Sequence, residues 1–289
     1  MASVQANGIT VEYESRGDGE PLLLVMGLGG QLTDWPDGFV ELLAAAGFRV
    51  ITFDNRDQGL STEFDWEPPS QIRSVLATLF KRPPKAEYLI ADMADDAVGL
   101  LDALDIERAH VVGMSMGGMI AQTIAFEHRA RVLSLTSIMS NPGDHRNGRI
   151  SPSIVPKLAK MKAPTRENAA ERSVEMFRLF SGPRFDPAEH LRRSRISVER
   201  AFRPIGTRRQ TAAIMASPDR TPALRRIDAP TLVIHGLMDK LVRPSGGTAT
   251  AAAIAGSRLL MFPDMGHDLP EQRHQEIVDA IRRNADRAA

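Results

Sequence analysis

Cysteine is absent from this chain. That excludes disulfides, thiolate metal sites and a cysteine nucleophile, and it fits a reducing compartment. Long apolar runs are absent too: the longest, such as Leu22–Met26, fall far short of a bilayer span. The N-terminus, MASVQANGITVEYES, shows no basic segment leading into an apolar run. No signal peptide is expected, and a cytoplasmic location is the default expectation. There is no net charge either, 36 Lys+Arg being matched by 36 Asp+Glu, which argues against a general nucleic-acid binder. Aromatic residues make up only 5%.

What is present describes a folded domain. The chain is 43% apolar and 25% charged over 289 residues, enough to bury a sizeable core. The charge is unevenly placed. Residues 141–226 hold 19 Lys+Arg and 8 Asp+Glu, a net of +11, so the remainder carries −11. A solvated basic face packed on an acidic body is the simpler reading, and attraction of an anionic substrate is the other.

Apolar runs alternate with helical patterns. Ser3–Gln5 and Ile9–Tyr13 flank Asn7-Gly8, a hairpin signal. Strands are predicted at Pro21–Met26, Arg49–Phe53, His110–Met114, Val132–Ile138, Thr231–His235 and Arg258–Phe262. Helices are predicted at Phe39–Ala46, Tyr88–Leu104, Met116–Glu127, Gly246–Ala255 and Glu271–Arg283. Between Thr62 and Lys85 the pattern is irregular. The rhythm implies an α/β fold: a mostly parallel central sheet of about eight strands flanked by helices. From Asn141 to Pro222 it breaks into helices alone, near Val155–Met161, Glu167–Phe180, Ala188–Phe202 and Arg208–Met215. This stretch reads as a cap inserted over the C-terminal edge of the sheet. The expected division is a core of 1–140 and 223–289 with a cap at 141–222.

The strongest chemical feature is Gly113-Met114-Ser115-Met116-Gly117, a G-x-S-x-G sequence between a predicted strand and a predicted helix. A sharp turn there exposes the Ser115 hydroxyl above the sheet, and the helix N-terminus supplies N–H groups and partial positive charge. A serine nucleophile needs a base. Of seven histidines, His267 lies between the last strand and the last helix, on the loop that opens on the same sheet edge as Ser115. His110 and His235 lie in or beside strands and read as structural. The base needs a carboxylate to fix its tautomer. Asp239, in the turn after Thr231–His235, is placed for it; Asp264 and Asp268 are rivals, too near His267 in sequence to reach round its ring easily. The chain order Ser115, Asp239, His267 is that of α/β-type hydrolases. Oxyanion donors are expected from the N–H of Met116 and from the loop Gly27–Gly30, where Leu28 is the choice and Gly29 the other candidate. No phosphate loop or dinucleotide fingerprint matches this glycine-rich stretch.

These segments together resemble the α/β-hydrolase superfamily along nearly the whole chain: Val25–Gly30, Phe53–Ser61 (FDNRDQGLS), Val111–Gly118, Pro230–Gly236 and Gly266-His267. Val-Met-Gly before the oxyanion loop, Trp35-Pro36 after it, and Arg56-Asp57 where many relatives carry Arg-Gly resemble the aclacinomycin-methylesterase-like hydrolases. The resemblance implies a Ser115–Asp239–His267 triad, donors at Leu28 and Met116, a helical cap and no cofactor. Haloalkane dehalogenases and epoxide hydrolases of this fold use aspartate where this chain has Ser115. The low aromatic content argues against a lipase with a large acyl groove.

The expected activity is hydrolysis of a small or medium-sized carboxylic ester, with a methyl ester one form, through an acyl-enzyme. A thioesterase, lactonase, perhydrolase or carbon–carbon bond hydrolase shares the same triad, and a non-catalytic small-molecule receptor is the alternative of another class. Expected pocket residues are Gly29, Trp35, Trp66, Met114, Met139, Met176, Phe177 and Phe180. The expected partner is the small-molecule ester itself, with no nucleic acid, no membrane span, and a monomeric or homodimeric state.

Overall fold

The computed structural model of the protein describes residues 1–69 and 85–288. Most of the stretch expected to be irregular, Thr62–Lys85, lies outside the described residues. The chain opens with the hairpin: β1 (Ala2–Ala6) returns as β2 (Ile9–Arg16), Ala6 facing Ile9. Asn7 and Gly8 both take positive φ, 48° and 76°, as a two-residue turn matched to strand twist requires.

Strands and helices then alternate: β3 (Glu20–Val25), α1 (Asp37–Ala45), β4 (Phe48–Phe53), α2 (Ile90–Ala103), β5 (Ala109–Met114), α3 (Met116–Glu127) and β6 (Val132–Ile138). Five helices follow, α4 (Val155–Lys160), α5 (Ala169–Phe177), α6 (Pro187–Arg200), α7 (Pro204–Ala216) and the short α8 (Thr221–Leu224), which sequence periodicity did not reveal. The alternation resumes with β7 (Thr231–Gly236), α9 (Ser245–Ala253), β8 (Arg258–Phe262) and α10 (His274–Ala285). The last helix starts later than expected because Glu271–Arg273 forms a 3₁₀ turn ahead of it.

The eight strands make one sheet in the order β1-β2-β4-β3-β5-β6-β7-β8. All neighbours are parallel except β1–β2 and β2–β4. Strands apolar on both faces need helices on both faces. Along β3, Leu23 and Val25 join Met93, Ala97 and Ile120 of α2 and α3 in one cluster; Leu22 and Leu24 join Phe39, Leu43, Ile277 and Ile281 of α1 and α10 in the other. β4 divides likewise, Ile51 and Phe53 against Phe48 and Val50. Each fully buried aliphatic side chain contributes about 2 kcal/mol to this double-sided core.

The helices between β6 and β7 account for part of the uneven charge. Arg184, Arg192, Arg200, Arg203, Arg208 and Arg209 pair with Asp264, Asp37, Asp54, Glu63, Glu67 and Asp57, all in flanking parts of the chain. Two of these pairs are buried: Arg200 lies 2.6 Å from Asp54, and Arg209 lies 3.0 Å from Asp57. Part of the basic stretch thus faces acidic residues of the flanking chain across this contact. Local signals start the helices there. Asp186 caps α6 by accepting from the N–H groups of Ala188 and Glu189, and Pro187 and Pro204 stand at first-turn positions.

Candidate active site

Four loops at the carboxyl ends of parallel strands meet at one place: those after β3, β5, β7 and β8. Such a crevice is where open α/β sheets place their ligands. Ser115 stands on the turn between β5 and α3 at φ 57°, ψ −120°, a strained backbone for a residue with a side chain. The turn demands its glycines. A Cβ on Gly113 would lie 2.0 Å from the Gly117 carbonyl, and one on Gly117 would lie 1.9 Å from the carbonyl of Val25. Only glycine lets strand, turn and helix pass this closely.

His267 lies on the loop after β8. Its Nε2 is 2.9 Å from Ser115 Oγ, and its Nδ1 is 2.6 Å from Asp239 Oδ2. A carboxylate can only accept, so Nδ1 carries the proton and Nε2 offers its lone pair to the serine hydroxyl. The other oxygen of Asp239 accepts from the N–H groups of Leu241 and Val242, both at 2.9 Å. Burial opposes the charge on Asp239. The histidines beside it, His267 and then His235, outweigh that and hold the carboxyl below its ordinary range. An ionised carboxylate in this position orients the ring and stabilises a positive charge on it.

The two rival aspartates are engaged elsewhere. Asp264 pairs with Arg184 and Arg273. Asp268 accepts from the N–H groups of Gly182 and Gly266, while the N–H of His267 donates to the Phe180 carbonyl. Segment 180–182 thereby fixes the histidine loop, and the Phe180 ring stands edge-on to His267 at 5.8 Å. His110 donates or accepts only at Ser134, away from the site, whereas His235 lies 3.5 Å from Asp239 and bonds the Val242 carbonyl.

The loop after β3 abuts the serine: a Cβ on Gly27 would be 3.2 Å from that of Ser115. Gly27–Gly30 is a turn closed by the Gly30 N–H on the Gly27 carbonyl, with Gly29 at φ 72°. The N–H of Gly29 is spent on the side chain of Gln210, 2.9 Å away. Among the described residues the N–H groups of Leu28 and Met116 have no hydrogen-bond partner. Of the two candidates in this loop, Leu28 is therefore the one with a donor to offer.

A cavity of about 1310 Å³ opens on Ser115 and His267, walled by Leu28, Gly29, Met114, Met116, Met176, Phe177 and Phe180. Three expected pocket residues are elsewhere. Trp35 stacks on Phe39 at 5.9 Å in the core: its neighbours Asp34 and Pro36 line the cavity, while its own ring turns inward from the same stretch of chain. Trp66 packs edge-on to Tyr88 in the opposite cluster, and Met139 is fully buried at the end of β6. Gln210 was not among the sequence candidates. Its one visible signal is position: it shares the helical stripe of Gly206, Ala213 and Ser217, where a buried polar side chain must find partners.

The nucleophile-like turn, the in-line histidine and the loop beside them coincide with a sequence match to the alpha/beta hydrolase fold over residues 20–273. The chain belongs to the α/β-hydrolase family. Among its relatives is rhodomycin D methylesterase DauP of Streptomyces sp. (strain C5), 33% identical over 300 residues and covering 94% of each chain. Another is rhodomycin D methylesterase DnrP of Streptomyces peucetius, 31% identical over the same length and coverage. Among solved structures, a thermophilic esterase from Thermogutta terrifontis superposes with a TM-score of 0.73 at 26% identity, covering 100% of this chain and 99% of the other. These relatives bear out the resemblance read from the sequence. No helix among the described residues is long and apolar enough to cross a membrane.

Proposed function

We propose that this α/β-hydrolase is a serine carboxylesterase. The observation that carries the reading is the unbroken line Ser115 Oγ–His267 Nε2, His267 Nδ1–Asp239 Oδ2, at 2.9 and 2.6 Å, on a strained turn. His267 takes the Ser115 proton as Oγ attacks the ester carbonyl carbon. The carbonyl oxygen becomes an oxyanion held by the N–H groups of Leu28 and Met116, each donor lowering the barrier by about 3 kcal/mol. The tetrahedral intermediate collapses, the carbon–oxygen bond to the alcohol breaks, and His267 gives the alcohol its proton. Water, deprotonated by the same histidine, then attacks the acyl-enzyme and releases the acid. Asp239 holds the ring throughout. Helices within 141–222 act as the cap that shapes the acyl and alcohol sites. The two methylesterase relatives favour a methyl ester of a medium-sized acid as the substrate form.

A fluorophosphonate probe tests the activated serine. Wild type is expected to be labelled, with the adduct on the peptide that carries Ser115, and Ser115→Ala and His267→Ala are expected to lose the label. Methanol release from a panel of methyl esters then tests the substrate form. Labelling that falls on another residue, or that survives Ser115→Ala, contradicts the assignment.

A further inference from the structure

We propose that Gln210, on the inserted helix α7, is the positioning residue that selects Leu28 as the oxyanion donor. This rests on the serine-esterase reading above. Gln210 is fully buried. Its Oε1 accepts the N–H of Gly29 at 2.9 Å, and its Nε2 donates to the carbonyl of Arg56 at 2.8 Å. Both partners are backbone groups of opposite kind, so the amide has one orientation.

The consequence for the loop is specific. In the turn Gly27–Gly30, the N–H groups of Leu28 and Gly29 are the two that the turn's own hydrogen bond does not use. Gln210 takes one of them, and the next, on Leu28, stays free. Helix α7 holds the turn from a second point as well: Thr207 lies against Gly29, where a Cβ would come within 3.0 Å of its hydroxyl, and Gln58 donates to that hydroxyl at 3.1 Å. The helix itself is seated by Arg209, which donates to Asp57 and to the Trp66 carbonyl. A preorganised donor counts most in the transition state, when the oxygen carries charge. Gln210 therefore acts on kcat through Leu28 without touching substrate.

Gln210→Met removes both hydrogen bonds at nearly constant volume; Gln210→Asn keeps an amide too short to reach both partners and serves equally if the methionine variant does not fold. For folded variants with wild-type circular dichroism, kcat is expected to fall by about tenfold or more with KM within about twofold. A trifluoromethyl ketone, whose adduct with Ser115 places an oxyanion in the hole, is expected to lose affinity by the same factor. The carboxylic acid product, which makes no oxyanion, is expected to bind as before. A general packing defect moves KM and product binding together with kcat. If the Gln210 variants match wild type toward the ketone while Ser115→Ala loses it, the role of Gln210 is overturned and the serine reading stands. If the ketone binds wild type and Ser115→Ala alike, both fall together.

Discussion

Arg209 donates to the carboxylate of Asp57 at 3.0 Å, and neither side chain is exposed to more than 7% of its area. The pair joins inserted helix α7 to the loop after β4. Asp57 also accepts from the Tyr88 hydroxyl and the Phe64 N–H, and it stands at φ 68°, a backbone that favours glycine. The family resemblance marks this as a position where many relatives carry glycine. Removing only the cation leaves a buried carboxylate uncompensated, so Arg209→Met is expected to cost about 3 kcal/mol. Asp57→Gly combined with Arg209→Met removes both charges and relaxes the backbone, and it is expected to recover part of that loss. Urea denaturation of the single and double variants checks the coupling; equal losses that simply add would count against it.

Asp239→Asn probes the tautomer. The asparagine oxygen can still accept from Leu241 and Val242, which turns its NH₂ toward His267. Nδ1 must then accept and Nε2 carry the proton, so the ring cannot take one from Ser115. A kcat loss of about four orders of magnitude is expected with the fold unchanged. Because Asp239 is held below its ordinary range, its carboxylate stays charged as pH falls, and its contribution disappears only below the ordinary aspartate value. A carboxyl signal from Asp239 that protonates above the ordinary aspartate value, followed by carbon-13 NMR against the Asp239→Asn variant, would contradict this.

His110 predicts the pH response of stability. Burial pushes its ring down to about 4, against a smaller opposing pull from Glu20. Its Nδ1 meets Ser134 at 2.9 Å and its Nε2 has no hydrogen-bond partner. Between the unfolded value of 6.5 and about 4 the unfolded chain binds a proton that the folded one refuses. Stability therefore falls as pH drops through that window, by about 2 kcal/mol from this residue after allowance for solvent screening. His110→Gln is expected to flatten the Tm-against-pH curve over the same range. An unchanged slope would show that His110 is protonated in the folded protein.

The cavity walls separate specificity from stability. Phe177 lines the cavity and packs on His190 at 4.2 Å, whereas Trp35 lies in the core. Phe177→Ala is expected to shift the preferred acyl chain of p-nitrophenyl esters to longer lengths. Trp35→Ala is expected to cost about 3–5 kcal/mol of stability with little change in chain-length preference among folded molecules. A reversal of these two effects would put Trp35 back among the pocket residues.

Most of the frame was legible because it depends on local periodicity. Eight strands, the Asn7-Gly8 hairpin and the long helices each follow from patterns within a dozen residues. The meeting of Ser115, Asp239 and His267 was legible because a parallel sheet sends all its strand-to-helix loops to one edge. What stayed hidden depends on tertiary direction. Trp35 follows the Gly27–Gly30 loop in sequence and its neighbours Asp34 and Pro36 line the cavity, but its own ring turns into the core. Gln210 lies 181 positions from Gly29, and nothing local to either residue announces the contact. The basic stretch 141–226 offered two meanings, and the ion pairs that support the packed one join residues about 150 positions apart, out of reach of any local pattern.

The proposed function stands on Ser115 as the nucleophile of an ester hydrolase. Side-by-side hydrolysis of p-nitrophenyl esters, acetate to dodecanoate, by wild type and Ser115→Ala tests it most directly. Wild type is expected to turn the esters over, and the variant, with its fold unchanged, to show a kcat lowered by about three to six orders of magnitude. Near-normal ester turnover by Ser115→Ala would contradict it.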